Sequence, residues 1–114
     1  MKQCNAPISV NELTVMSERM FGGLVKAVVD LERNVMVVDA SMHADEERML
    51  LELGSKQNDL WGINLYPELY GTNDFVEFDS MINIRPRQNN FSRSVEDVST
   101  QQRIISLVNS LITS

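Results

Sequence analysis

An α+β domain is the fold class this sequence predicts, with an antiparallel sheet of about four strands and three helices in the order α-β-β-α-β-β-α. Three observations carry the prediction. Two stretches, 24–40 and 60–85, alternate apolar and polar residues with period two. Ser9 and Ser99 each stand three residues ahead of a Glu or Gln and just before an apolar stripe of helical spacing. Gly, Pro and Asn separate these segments at intervals that suit hairpins and short connections.

Taken in order, Ser9 and Glu12 form a capping box ahead of Leu13, Met16 and Met20, and the Gly22-Gly23 pair stops that helix. Val25, Ala27, Val29 and Leu31 then share one side of a strand. Arg33-Asn34 makes the turn into a second strand, Val35 to Ala40. A helix begins near His43, where Asp45, Glu46 and Glu47 suit a positive N-terminal dipole. Its apolar stripe is Met49, Leu50 and Leu53, with Gly54 as the C-terminal cap.

Trp61, Ile63 and Leu65 form the inner side of a third strand that Pro67 ends. A fourth strand keeps Val76, Phe78, Ile82 and Ile84 on one parity, with Ser80-Met81 as the place for a bulge. The last helix starts near Ser99 and buries Ile104, Ile105, Val108, Leu111 and Ile112. Helices packed on one face of such a sheet would leave the opposite face open to water or a partner.

Whole-chain composition sets the bounds. With 114 residues, 43% of them hydrophobic and 23% charged, the chain is expected to be a single domain over residues 1–114. The net charge of −6 repels nucleic-acid phosphates, so no nucleic-acid partner is expected. No apolar run approaches the roughly 20 residues of a bilayer span, so no membrane partner is expected either. Cys4 has no second cysteine to pair with, and the start MKQCNAPIS lacks an apolar signal segment. Both point to a cytoplasmic protein.

The candidate site lies on the other parity of strands three and four. Asn64, Tyr66, Glu77, Asp79, Asn83 and Arg85 share one side there, at same-side spacings of about 5–8 Å. The following loop adds Arg87 and Arg93, and residues 81–94 contain no Asp or Glu. Guanidinium groups grip carboxylates and phosphates in the plane of their paired donors. The plainer reading is the wet face of a sheet followed by an exposed connection.

His43 lies near Asp39, Asp45 and Glu46, but no paired-His or paired-Cys spacing supports a metal, so neither metal nor cofactor is expected.

The strings VVDASMHADEE, GSKQNDLWGINLYPE and FVEFDSMINIRPRQNNFSRSVED resemble those of a small bacterial family known only as a domain of unknown function. The likeness runs from the first helix to the last. It implies a compact domain and assigns no activity, substrate or catalytic residue.

Three function classes remain open. The leading one is an uncharacterised binding or interaction module that uses the polar sheet face and the Arg85–Arg93 loop on an anionic small molecule or a protein partner. The second is an enzyme acting on a phosphorylated or other anionic substrate. It would use Glu77 or Asp79 as general acid/base and Arg85 with Arg93 as clamps. The third is a homodimer joined through that face or an edge strand.

Overall fold

The computed structural model describes residues 1–114, except for the side chain of residue 21. Its sheet has five strands, all antiparallel to their neighbours, in the order β1-β4-β3-β5-β6. These are β1 (Lys2–Cys4), β3 (Val25–Asp30), β4 (Val35–Val38), β5 (Leu60–Leu65) and β6 (Val76–Glu77). A separate parallel pair joins β2 (Ile8–Ser9) to β7 (Ile112–Thr113). Three helices complete the fold: α1 (Val10–Glu18), α2 (His43–Glu52) and α3 (Val98–Leu111).

The period-two stretches of β3 and β5 pair directly, with Ala27 opposite Ile63 and Val29 opposite Trp61. Their inward side chains join Leu13 and Met16 of α1 and Ile104, Leu107, Val108 and Leu111 of α3 in the larger core. The expected α1 cap is present: Ser9 Oγ accepts from the Glu12 N–H at 3.1 Å. Asn34 takes the left-handed conformation, φ 56°, that closes the β3–β4 connection.

The open sheet face is not found. Val28, Val35, Val37 and Leu60 on that side pack with Leu50 of α2 in a second, smaller core, to which Met49 and Ile82 are added. The sheet is therefore covered on both faces, because Val28, Val35 and Val37 make the outer parity apolar as well.

α2 is also rotated from its expected setting. Its buried residues are His43, Glu46 and Leu50, whereas Leu53 is exposed. Glu46, read above as a dipole partner, is wholly buried. Its Oε2 accepts the Ala40 N–H at 3.2 Å and its Oε1 has no partner. Burial pushes this carboxyl up to about 9.

The end of α2 is tied to the β3–β4 connection. Arg33 Nη1 donates to Leu53 O at 2.8 Å, and Ser55 Oγ donates to Asp30 Oδ2 at 2.5 Å. Asp30 Oδ1 accepts the N–H groups of Glu32 and Arg33 at 2.9 and 3.0 Å.

Four further expectations change. The N-terminal segment, to which the sequence reading gave no strand, forms β1, which pairs with β4, and Cys4 is buried. The cap of α3 is Asp97, not Ser99: its carboxylate accepts the Thr100 N–H at 2.9 Å. Ile105 is turned outward, and Leu107 takes its place in the core. Finally, the long fourth strand ends at Glu77. A 3₁₀ turn over Met81–Asn83 follows, with Ser80 Oγ accepting the Ile82 N–H at 3.3 Å.

Candidate functional site

Five of the eight predicted site residues converge at the β6 end of the sheet. Register places Lys26, Asn64 and Glu77 in one row across β3, β5 and β6. Asn64 Nδ2 donates to Glu77 Oε1 at 2.8 Å and to Asp79 O at 3.3 Å. The Tyr66 hydroxyl donates to the same Glu77 oxygen at 2.9 Å, and Arg93 Nε donates to Asp79 Oδ1 at 2.6 Å. Asn64 Oδ1 is buried without a partner. The Tyr66 hydroxyl is raised by desolvation first and by its bond to Glu77 second.

Sequence reasoning left Lys26 and His43 out of this group. The buried His43 ring bonds through Nε2 to Ile63 O at 2.7 Å. A carbonyl only accepts, so Nε2 carries the hydrogen and Nδ1 holds the lone pair of the neutral ring. Burial lowers the His43 pKa, and the charges of Lys26, Asp79 and Arg93 all reach the ring. The signal for Lys26 was its outward parity in β3. His43 gave none, because it comes from α2 and meets β5 through a backbone carbonyl. Among the described residues no three His, Cys, Asp or Glu side chains gather as a metal-binding group.

Asn83, Arg85 and Arg87 do not join the cluster. Asn83 is buried against β5, where Oδ1 accepts the Gly62 N–H at 2.8 Å and Nδ2 donates to Gly62 O at 2.9 Å. A third bond runs from Nδ2 to Arg93 O at 3.0 Å. Arg85 directs its guanidinium to Gln57 O at 2.5 Å, to Leu60 O and to Gln88 Oε1 at 2.9 Å. It also lies 4.4 Å from the centre of the Trp61 ring. The anion clamp expected of Arg85 is not formed with the cluster: its terminal nitrogens serve the strand-five entry and Gln88, and its buried Nε has no partner. Arg87 is exposed on the 3₁₀ turn Pro86–Gln88.

The connection that carries these residues is held from within. Arg85 and Asn90 exchange backbone bonds at 2.8 and 3.2 Å. Asn90 Nδ2 donates to Asn83 O and Ser94 O, both at 2.7 Å, and its Oδ1 accepts the Glu96 N–H at 2.9 Å. Glu96 in turn accepts the Phe91 N–H at 2.8 Å. Its carboxyl is held low by the Ser92 hydroxyl first and this N–H second.

On this fixed frame three apolar side chains face outward: Met81 and Phe91, each 65% exposed, and Ile84, 39% exposed. Ile84 and Phe91 are the residues next outward from the Arg85–Asn90 bridge, one on each arm. Met81 stands one 3₁₀ turn before Ile84. The sequence marked this segment by its arginines and not by these apolar groups, and Ile84 was read on the apolar parity of a fourth strand.

Among the described residues no helix is long and apolar enough to cross a membrane. No curated protein and no solved structure matches the chain. The family described as "Protein of unknown function (DUF5674)" matches residues 2–111. That span takes in the whole five-stranded sheet and all three helices, and the chain belongs to this family.

Proposed function

We propose that the protein is a binding module for a protein partner, engaged through the 81–93 connection rather than through an open sheet face. The observation that supports this reading is the exposure of Met81, Ile84 and Phe91 on a segment whose backbone is fixed by Asn83, Arg85 and Asn90. Exposed apolar groups on a held backbone lose little entropy on docking.

Arg87 and Arg93 flank the patch in a chain of net charge −6, so the fitting partner presents an apolar pocket rimmed by carboxylates. The row of Asn64, Tyr66, Glu77 and Asp79 forms the polar margin beyond Arg93. Asn83 and Arg85 act as supports of the site. We place the protein in the cytoplasm as one domain over residues 1–114, on its lone buried cysteine and on the sheet that both cores share.

A photo-crosslinking residue at position 91, expressed in native cells, tests the reading against the same residue at Val15, an exposed control on α1. The expected result is one discrete adduct from position 91 that disappears when Arg87→Glu is added. The same adduct from position 15, or none from position 91, would overturn the proposal.

A further inference from the structure

A second surface, reached across the polar margin of the loop patch, lies where β6 forms the free edge of the sheet. Tyr66 donates its N–H to Phe75 O at 2.9 Å, and Asn64 stands opposite Glu77. Antiparallel alternation therefore turns the N–H and C=O of Val76 away from β5. The Val76 and Phe78 side chains pack toward the larger core. Beyond them, a groove of about 550 Å³ runs between this edge and the Gln101, Ile105 and Asn109 ridge of α3, closed at one end by residues 70–73.

An edge strand beside a helix, with outward backbone groups and an apolar floor, is the arrangement that accepts an added strand. Charge then selects among strands. Asp74, Glu77 and Asp79 line the edge; among the described residues no cation pairs with Asp74 or Glu77, and only Asp79 has one, in Arg93. A second copy of the chain would double these carboxylates along one seam, which disfavours self-pairing.

We infer that β6 takes up an extended peptide segment of alternating cationic and apolar residues. The residue opposite Val76 sends its side chain into the groove beside Phe78 and Ile105. Its two neighbours point to the other face, where Glu77 and Asp79 stand.

The test uses the full chain labelled with ¹⁵N and two synthetic peptides, one alternating Lys and Val, the other alternating Glu and Val. Saturable amide shifts at Val76, Glu77, Phe78 and Ile105 are expected with the Lys peptide, bound about tenfold tighter than the Glu peptide at low salt. Val76→Pro removes the outward N–H and should abolish binding. Ile105→Arg, on the surface of α3, should weaken it without touching the edge. Equal affinity for both peptides, or binding unchanged in both variants, would overturn the inference, and so would shifts confined to residues 81–91. Absence of saturable shifts at β6 would do the same, leaving the short acidic edge as a guard against aggregation.

Discussion

The Asn83 side chain pairs with the Gly62 backbone as a neighbouring strand would, accepting its N–H at 2.8 Å and donating to its carbonyl at 2.9 Å. This one amide continues the sheet where β6 has ended. Asn83→Ala should lower stability by about 2–4 kcal/mol, because it leaves two buried backbone groups unpaired. Asn83→Asp should also destabilise, since only the donor half is lost. Urea midpoints at fixed slope check both.

Gly62 is bound to the same spot by space. A Cβ there would stand 2.6 Å from Ser80 Cβ and Oγ. Gly62→Ala should cost about 1–3 kcal/mol by overpacking. Combined with Ser80→Gly it should recover part of that loss, and thermal unfolding of the double variant reports the coupling.

Arg85 and Arg87 should separate cleanly. Arg85→Ala removes the donors to Gln57 O and Leu60 O and uncovers the only tryptophan, Trp61. A loss of about 2–3 kcal/mol is expected, with a change in native fluorescence. Arg87→Ala should stay within about 0.5 kcal/mol of the parent.

Glu46 makes stability fall with rising pH. Its carboxyl is raised from 4.5 to about 9 in the folded chain, so the folded state holds a proton that the unfolded state has released. The stabilisation is complete below about pH 4.5 and is lost as pH climbs through about 9. Glu46→Gln should flatten the profile across that window and be relatively more stable at its alkaline end. Denaturation at several pH values decides it, and a parent curve that rises toward pH 9 would count against the assignment.

His43 has the opposite sign. Burial lowers its pKa below 6.5, so the unfolded chain takes up the proton first and stability drops as pH falls below that value. As the only histidine, it should give one pair of ring C–H resonances that titrate together below 6.5. His43→Gln, which can keep a donor toward Ile63 O, should weaken the acid dependence.

Much of this fold was legible where side chains alternate without interruption. β3 and β5 read correctly because Val25 to Leu31 and Trp61 to Leu65 each place an apolar residue at every second position. β1 was missed because Lys2-Gln3-Cys4 has no pattern to offer; it is held by the β4 edge it covers. The face of α2 was misjudged because its buried set, His43, Glu46 and Leu50, is two-thirds polar. Asn83 and Arg85 continued the parity of Glu77 and Asp79 in the sequence, yet the turn at Ser80 carried them to other neighbours. Local alternation predicts a strand only while the backbone stays extended. An amide that serves as a surrogate strand cannot be told in sequence from one that meets solvent.

The parallel pairing of β2 with β7 bears on how the chain reaches this state. Thr113 Oγ1 bonds to Ile8 O across 105 residues, and Ile112 stands opposite Ile8. Closure over such a span comes late, since its entropy cost is offset only once the intervening sheet has formed. During synthesis Ile8 therefore leaves the ribosome long before its partner exists. The N-terminal strands must wait in an unfinished, sticky form, and slow translation or early release should raise the fraction that chaperones capture.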